Sequence, residues 1–375
     1  MNTYDVAVVG AGPAGASAAL MCVRHGFKTV IIEKRQLPRH KACSGILIPR
    51  SRRIVEEHFG ELPSHVLATP HHVSAMRMHF SSGRTFDVPI DGIGIWRNQL
   101  DYWLCERSGA DIFDRTTLVS FKEEPDSVTI SLRKAGGGRY SMRCGVMIGA
   151  DGGQSSIVRV LDPTMHQGLK SYFNIQEVYQ CTCSLEPGYF HYFAMPAISP
   201  YPSAYVKDEL LVMEAATREG EKIGQYMERF KRYLWPRISV DNAVRIRSVG
   251  CWVTMAASRG RFHFGTDRIL IAGEASGLLN LFGEGISSAL ASGLLAGQAA
   301  VKGINEGINP GTLYRREVKP ERQRTEVQYN YRKQLLRPLG IFDWKTGMNN
   351  MPWKDRVLLV TDIIAWLVRL QKATR

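Results

Sequence analysis

A glycine-rich turn near the N-terminus constrains the fold of this chain more than any other feature. The apolar residues 4–9 predict a buried strand, and Gly10-x-Gly12-x-x-Gly15 follows it directly. Residues 14–25 then have helical composition, and a second apolar strand, residues 28–32, ends at Glu33, 18 positions after the last glycine. Strand, glycines, helix, strand and acid in this order predict a dinucleotide-binding βαβ unit.

The residues of this fingerprint have separate roles in holding a dinucleotide. Gly10 permits the tight turn, Gly12 lets a pyrophosphate approach the backbone, and Gly15 lets the helix pack close to the strand. Ala14 lies in the first helical turn, where free N–H groups and the positive end of the helix dipole favour phosphate. We expect Glu33 to accept hydrogen bonds from the ribose hydroxyls of the adenosine half.

Length and cysteine content limit the class of protein. The 375 residues are enough for two or three lobes around a sizeable core. The seven cysteines are scattered and odd in number, and the chain starts with a strand, which predicts reduced thiols and a cytoplasmic protein. Cys181-x-Cys183 has no companion cluster of ligands, so we expect no metal site.

The net charge of +13 is unusual, and much of it lies near the C-terminus. Residues 311–375 carry 14 Lys and Arg against 6 Asp and Glu. An acidic partner protein, an anionic substrate or a peripheral membrane contact would each suit this charge, as would a solvated basic face. The charge has no accompanying nucleic-acid motif, so we do not expect a nucleic-acid partner.

Two further stretches repeat the pattern of a strand that ends in a glycine turn with an acid. Residues 146–159 contain Asp151-Gly152, followed by Ser155 and Arg159 on a short helix. Residues 268–286 contain Gly273-Glu274 and, at a second helix start, Gly283-Glu284-Gly285-Ile286. Three acids at strand ends indicate one extended ligand held at three points, whereas an NAD-only fold needs just the first. The cofactor predicted is FAD.

These three motifs resemble those of the flavoprotein superfamily that holds aromatic hydroxylases, flavin-dependent halogenases and geranylgeranyl reductases, over roughly residues 1–305. The resemblance implies an α/β fold (α+β overall), in which a three-layer FAD domain carries an inserted antiparallel substrate sheet and a helical C-terminal region. It implies FAD-binding segments 1–70, 96–165 and 262–305, substrate segments 71–95 and 166–261, and a helical basic region 306–375. The family's usual ribityl-binding Asp is Glu274 here.

Within the superfamily, the chain is most similar to the geranylgeranyl reductases. Lys41-Ala42-Cys43-Ser44-Gly45 is similar to their cysteine-containing loop beside the flavin. Residues 187–196 have the spacing of their substrate-domain signature, although His191, Phe193 and Met195 stand where Tyr, Trp and Phe are usual. The Trp-x-Trp of the halogenases is absent from the sequence, as is the His-then-double-Pro pattern of many aromatic hydroxylases.

The resemblance also supplies candidate site residues. Cys43 and His191 are the candidates for proton transfer, and Cys43 is also a candidate for flavin contact, with ordinary packing as the alternative for each. The remaining cofactor-binding candidates are Lys34, Lys41, Ala42 and Arg97, where Arg97 opens a helix at the place of a family FAD-contacting arginine. The substrate candidates are the aromatic residues Tyr192, Phe193 and Trp252.

The C-terminal region lies beyond the resemblance. Residues 314–336 predict a charged helix. Residues 355–370 contain an apolar run interrupted by Asp362, which is too short and too charged to span a bilayer. We expect this run to pack on the body of the protein, or to rest on a membrane or a partner protein.

Three functions are compatible with these features. Reduced FAD could hydrogenate a carbon–carbon double bond of an apolar, prenyl-like substrate, with Cys43 or water as the proton source. It could instead support hydroxylation of an electron-rich ring, such as a tryptophan of a partner protein during maturation of a quinone cofactor. A third hypothesis is a non-catalytic, FAD-containing binding or chaperone-like protein. A second dinucleotide fingerprint is absent from the sequence, so the electron donor is a transiently bound reductant or a separate reductase.

Overall fold

The fold is described from a computed structural model that covers residues 2–169, 171–195, 197–218, 220–280 and 283–336. Its strands, in chain order, are β1 (Asn2–Val9), β2 (Thr29–Ile32), β3 (Ile46–Leu47), β4 (Leu67–Phe80), β5 (Thr85–Ile95), β6 (Asp111–Phe113), β7 (Thr116–Glu123), β8 (Val128–Lys134), β9 (Arg139–Gly149), β10 (Ser171–Thr182), β11 (Tyr189–Ala194), β12 (Ser203–Lys207), β13 (Leu210–Arg218), β14 (Asp241–Thr254) and β15 (Ile269–Ile271). The α-helices are α1 (Pro13–Arg24), α2 (Pro49–Phe59), α3 (Arg97–Ser108), α4 (Ser156–Leu161), α5 (Ile223–Leu234), α6 (Ile286–Glu306), α7 (Pro310–Glu317) and α8 (Lys319–Leu336).

The first sheet carries the predicted dinucleotide unit. Its order is β6-β2-β1-β9-β8-β7, and β15 pairs with β9. β6, β2, β1, β9 and β15 run parallel, whereas β8 is antiparallel to both β7 and β9. The alanine- and glycine-rich surfaces of α1 and α6 let these two helices pack closely, because a Cβ on Gly293 would lie 2.2 Å from the carbonyl oxygen of Ala14. The predicted α/β class is confirmed.

The second sheet, ordered β14-β10-β13-β12-β11-β4-β5-β3, is antiparallel except for the parallel pair β11 and β4. Helix α5 covers one face through Met227, Phe230 and Leu234, which pack in the same apolar cluster as Phe193 and Met213. The opposite face lies against the loop that contains Cys43. The strands of this sheet begin at Ile46, so residues 46–47 and 67–70 lie outside the first sheet although the sequence placed them with it.

The C-terminal region begins with two helices rather than the single helix predicted for residues 314–336. Asn309 caps α7 by accepting a hydrogen bond from Thr312 N at 2.8 Å. A break separates α7 from α8 because Pro320 lacks the N–H that a continuous helix needs there. The predicted run at residues 355–370 lies outside the described residues. In the described part of the chain, no helix is both long and apolar enough to cross a membrane.

Candidate functional site

The glycine-rich turn is built as a ligand cradle. Gly10 has φ +113°, and a Cβ there would lie 2.3 Å from the carbonyl oxygen of Ala150. A Cβ on Gly15 would lie 1.9 Å from the carbonyl oxygen of Gly10. At Gly12, by contrast, the nearest atom among the described residues is Nη2 of Arg39, at 3.9 Å. Two glycines are therefore required by packing, and Gly12 leaves open space before the first turn of α1.

Glu33 joins this turn to a chain of buried charges. Its Oε2 atom accepts a hydrogen bond from Ala11 N at 3.2 Å and lies 3.0 Å from Nε of Arg39. Arg39 also donates to the carbonyl oxygen of Ala11 at 3.1 Å and to Oδ2 of Asp101 at 3.1 Å. The neighbouring Lys34 is exposed. Sequence reasoning missed Arg39, and the basic run Arg39-His40-Lys41 was the signal for it.

Arg97 continues this chain of charges to Cys43. Arg97 donates from Nε and Nη2 to the two carboxylate oxygens of Asp101, at 2.8 and 2.9 Å. Its side chain also contacts that of Cys43. Burial opposes the charged form of Arg97, but Asp101 and Cys43 outweigh it and raise the pKa of the guanidinium. Arg97 thus links the buried carboxylate of Asp101 to the side chain of Cys43.

The backbone around Cys43 is held from the other side by the second sheet. Gln176 Nε2 donates to the Cys43 carbonyl oxygen at 2.8 Å, and Tyr205 Oη lies 3.4 Å from the same oxygen. Cys251 Sγ lies 3.7 Å from the carbonyl oxygen of Ala42. The Cys43 side chain is partly exposed and its Sγ accepts a hydrogen bond from Gly45 N at 3.4 Å. The thiol thus lies at the junction of the two sheets, open to a ligand.

Behind this loop lies a buried polar cluster that sequence reasoning missed. Glu214 Oε1 accepts hydrogen bonds from Gln176 Nε2 at 2.6 Å and Tyr205 Oη at 2.9 Å. Lys207 donates to the carbonyl oxygens of Gly45 at 3.0 Å, Ile95 at 2.8 Å and Ser44. Burial lowers the pKa of Lys207 to about 8 and raises that of Glu214. An isolated Lys or Glu on a strand carries no sequence signal of burial, which explains the omission.

The second and third strand-end acids flank the same region. Asp151 Oδ2 accepts hydrogen bonds from Ser156 N at 2.7 Å and Ser156 Oγ at 3.1 Å, while the buried Oδ1 has no partner among the described residues. Gly152 has φ +85° and nothing within 4 Å of an added Cβ in the described structure. Glu274 lies 3.7 Å from Nζ of Lys41. A Cβ on Gly153 would lie 2.4 Å from Oε1 of Glu274, so Gly153 makes room for the longer acid.

The side chain of Glu284 occupies part of the N-terminus of α6. Glu284 accepts hydrogen bonds from Ser287 N at 2.8 Å and Ser287 Oγ at 2.7 Å, so it caps the helix that Ile286 begins. Gly283 has φ +78° and, among the described residues, nothing lies within 4 Å of an added Cβ, while Gly285 is the N-cap residue. Gly273 is buried and donates to Ser292 Oγ at 2.9 Å. Because its carboxylate is used in this cap, Glu284 would contribute to ligand binding by ordering the N-terminal end of α6.

Strand alternation separates the predicted substrate residues. Tyr192 pairs with Ser203, which pairs with Glu214, so Tyr192 lies on the face that holds the Cys43 loop. His191 and Phe193 point to the other face, where the ring centroid of Phe193 lies 5.2 Å from that of Phe230. Trp252 follows Cys251 and also faces away from the loop, 41% exposed.

His191 is a core residue of the second sheet in this structure. It is 3% exposed, and its Nε2 and Nδ1 atoms lie 3.0 Å from the Glu186 carbonyl oxygen and 2.9 Å from His79 Nε2. Burial lowers its pKa. Because both ring nitrogens are engaged on the side away from Cys43, this placement disfavours proton exchange between His191 and a substrate at the thiol.

Fold and site together define a flavoprotein that has a second, substrate-side sheet. In the part of the chain that the structure describes, the open space at Gly12, Gly152 and Gly283 and the unpartnered Asp151 Oδ1 fit an extended dinucleotide such as FAD. Residues 3–279 match the FAD binding domain family, and the chain belongs to that family. It is an FAD-dependent oxidoreductase.

The chain is similar to both reductases and halogenases of this superfamily. It is 28% identical to the geranylgeranyl diphosphate reductase of Rhodobacter capsulatus over 312 residues, covering 81% of this chain and 76% of that protein. A geranylgeranyl bacteriochlorophyll reductase-like structure from Thermoplasma acidophilum superposes with a TM-score of 0.76 at 18% identity over 100% of both chains. The flavin-dependent halogenase CmlS superposes with a TM-score of 0.70 at 16% identity, over 99% of this chain and 72% of its own. The predicted superfamily and its reductase-like group are confirmed.

Proposed function

We propose that this oxidoreductase hydrogenates a carbon–carbon double bond of an apolar, prenyl-like substrate. The observation that carries the proposal is the position of Cys43. Its partly exposed thiol contacts the Arg97 side chain, and its backbone is bound by Gln176 and Tyr205 of the substrate-side sheet. A proton donor at the junction of the two sheets is what reduction of a double bond requires.

The sheet face next to the Cys43 loop is apolar, as the binding of an apolar chain would require. The sheet face next to the Cys43 loop carries Phe190 and Tyr205, whose ring centroids lie 5.5 Å apart, with Val178, Val212 and Trp96 packed beside them. Apolar and aromatic side chains with a few placed polar groups are typical of small-molecule sites. A relative from Methanococcus vannielii, 27% identical over 323 residues, is a digeranylgeranylglycerophospholipid reductase, which supports a long isoprenoid substrate.

Each residue has a defined task in this reaction. When bound and reduced, FAD would supply a hydride to one carbon of the double bond. Cys43 gives its proton to the other carbon, and the sulfur atom left negative lies beside the Arg97 guanidinium. Water then returns a proton to the sulfur. Gln176, Tyr205 and Lys207 keep the loop in place by binding its carbonyl oxygens.

The test is product analysis with the FAD-loaded enzyme. The enzyme is reduced with dithionite without oxygen and mixed with geranylgeranyl diphosphate, and the products are examined by mass spectrometry. Addition of two hydrogens per double bond, in amounts that match the flavin oxidised, is the expected result. Cys43→Ala should keep the flavin but form product roughly a hundredfold more slowly, because a general acid contributes about 10²–10⁴ in rate.

A monooxygenase is the competing function, and the same preparation separates the two. Reduced enzyme is mixed rapidly with oxygenated buffer and followed by absorbance, with and without a tryptophan-containing partner or an aromatic substrate. A spectroscopic transient between reduced and oxidised flavin, together with incorporation of oxygen into the substrate and an unchanged prenyl chain, would replace the reductase proposal.

A further inference from the structure

The C-terminal helix α8 contacts the turn that leads into α6. Residues 283–286, at the start of α6, are among the predicted FAD-binding residues, and the turn before α6 consists of residues 279–280 and 283–285 in the described part of the chain. Helix α8 begins only at Lys319, more than thirty residues after the last predicted FAD-binding residue. Its contacts with this turn are therefore made by a part of the chain that carries no FAD motif.

Tyr329 of α8 binds the first residues of this turn. Its side chain is buried, and its Oη atom lies 3.2 Å from the carbonyl oxygen of Leu279 and 3.1 Å from that of Asn280. Asn280 in turn orders the start of α6. Its carbonyl oxygen accepts a hydrogen bond from Gly283 N at 3.1 Å, and its Oδ1 atom accepts one from Glu284 N at 2.8 Å. Tyr329 thus holds the residue around which the turn is built.

Glu321 of α8 acts on the other end of the turn through Arg50. Both side chains are buried, and Glu321 Oε1 accepts a hydrogen bond from Nη2 of Arg50. Nη1 of Arg50 lies 3.4 Å from Oγ of Ser287, the hydroxyl group that also donates to Glu284. Burial raises the pKa of Glu284, and the charge of Arg50 is close enough to oppose this rise. Arg50 therefore lies between two carboxylates, one on α8 and one at the start of α6.

The pairing of Arg50 with Glu321 leaves Glu284 available to cap α6. Desolvation offsets much of the attraction within a buried ion pair, but removal of one partner leaves the other charge uncompensated. Without Glu321, Arg50 would gain from pairing with Glu284, which now accepts a hydrogen bond from Ser287 N at 2.8 Å. The carboxylate on α8 thus protects the cap at the start of α6.

We propose that Tyr329 and Glu321 are positioning residues of the FAD site, through which α8 sets how tightly the start of α6 binds the cofactor. The N-terminus of a helix favours negative charge, and reduced flavin is the more negative form of the cofactor. Disorder in the turn before α6 should therefore weaken binding of the reduced form more than binding of the oxidised form. This role does not depend on the substrate on which the flavin acts.

Titration of the apoprotein with FAD tests the role of Tyr329. Tyr329→Phe removes one hydroxyl group and should weaken FAD binding roughly tenfold, in line with the loss of a buried hydrogen bond. Tyr314→Phe is the matched control, because Tyr314 is also buried and its Oη donates at 3.0 Å to the carbonyl oxygen of Ile271, in strand β15. Both apoproteins should melt below wild type by similar amounts, but Tyr314→Phe should bind FAD within about twofold of wild type.

The midpoint potential of the bound flavin gives a readout that a loss of stability alone would not change. A tenfold greater loss of affinity for reduced FAD than for oxidised FAD lowers the potential by about 30 mV. We expect a negative shift of this order in Tyr329→Phe and an unchanged potential in Tyr314→Phe. Equal FAD affinity and equal potential in the two variants would make Tyr329 a purely structural residue and overturn the proposal.

A double variant tests the role of Glu321. Glu321→Gln should free Arg50 to pair with Glu284, and FAD affinity should fall roughly tenfold. In the double variant Arg50→Gln, Glu321→Gln, no cation competes for Glu284, so most of the affinity should return. Recovery in the same FAD titration would support the role of Glu321. If the double variant binds FAD no better than Glu321→Gln alone, Glu321 does not act through Arg50 and the proposal is wrong for this residue.

Discussion

Nζ of Lys207, on the second sheet, lies 3.0 Å from the carbonyl oxygen of Gly45, in the loop that carries Cys43. The same ammonium group donates to the carbonyl oxygen of Ile95 at 2.8 Å, so one buried cation ties the loop to two strands. Gly45 has φ +60°, and a Cβ there would lie 2.7 Å from this Nζ atom and 2.2 Å from the carbonyl oxygen of Ile95. The reactive loop and the substrate-side sheet are therefore fixed to each other through a titratable group.

Lys207 should make turnover and stability respond oppositely to pH. Its pKa is lowered to about 8 by burial, against 10.5 for the ordinary side chain, so the folded state loses this proton before the unfolded state does. Between about pH 8 and 10.5, this residue's contribution to the free energy of unfolding rises with pH, by at most on the order of 3 kcal/mol. Turnover should fall over the first part of this range, because a neutral amine has only two protons for three carbonyl oxygens.

The measurement compares wild type with Lys207→Met. Urea unfolding at pH 7 and pH 10 should give a stability difference between the two proteins that grows with pH. The fall in turnover near pH 8 should be missing from the variant. Parallel pH profiles in both assays would show that Lys207 does not titrate in this range.

Substitution of Gly12 should weaken FAD binding alone, whereas substitution of Gly15 should also destabilise the apoprotein. Gly15→Ala places a Cβ 1.9 Å from a carbonyl oxygen, so the apoprotein should be destabilised and FAD lost. Gly12→Ala meets only Arg39 Nη2, at 3.9 Å, among the described residues, so the apoprotein should melt as wild type does. FAD affinity of Gly12→Ala should still drop by roughly tenfold or more, because the added methyl group occupies the space of the pyrophosphate. Thermal melts and flavin titration of both apoproteins test this, and an unchanged flavin affinity in Gly12→Ala would remove it from the site.

Gly153 should matter only because Glu274 is longer than aspartate. Gly153→Ala would push a Cβ to 2.4 Å from Oε1 of Glu274, and this flexible carboxylate would move. We expect FAD affinity to fall about tenfold with little loss of apoprotein stability. Shortening the acid in the double variant Gly153→Ala, Glu274→Asp should recover most of the affinity, as flavin fluorescence titration would measure. If the double variant binds FAD as weakly as the sum of the two single changes predicts, the two residues are independent.

Asp101 should be indispensable for the buried charges beside Cys43. It is fully buried and accepts hydrogen bonds from both Arg97 and Arg39. Asp101→Asn leaves two guanidinium groups without their carboxylate, which should cost about 3–5 kcal/mol. Burial opposes ionisation of Asp101, but the arginines outweigh it and lower its pKa, so its contribution is present above about pH 4 and is lost as acid protonates the folded protein. The stability of the variant in acid should therefore depend less on pH than that of wild type. Acid-unfolding curves with the same pH dependence in both proteins would contradict this.

Substitutions of Cys43 and His191 should have opposite effects on turnover and on stability. His191→Ala removes a buried ring that lies 5.2 Å, centroid to centroid, from His79. We expect a lower melting temperature and, for the folded fraction, turnover within about twofold of wild type. Cys43→Ala should show the reverse pattern. A large loss of turnover in a fully folded, flavin-loaded His191→Ala would restore His191 as a proton-transfer residue.

Local chemistry explains why much of the first sheet could be predicted. The strand, turn and helix at residues 2–24 follow from apolar β-branched residues, from glycines where the backbone approaches itself, and from an alanine-rich run. The same logic located α3, α5 and the acids Asp151 and Glu274. The positions of the side chains of residues 190–193 could not be predicted in the same way. Strand alternation shows that His191 and Tyr192 lie on opposite faces of the sheet, but it does not show which face lies against the flavin domain.

The sequence by itself therefore determined the dinucleotide unit, the FAD motifs and the superfamily, because each is written in residues close together along the chain. Only the tertiary structure decided the rest. His191 is buried on the face of the second sheet that helix α5 covers, where it contacts His79 and the carbonyl oxygen of Glu186. The other face brings Lys207, Gln176 and Arg247 to a loop more than a hundred residues away, and such contacts depend on chain topology and on burial, which no local pattern encodes.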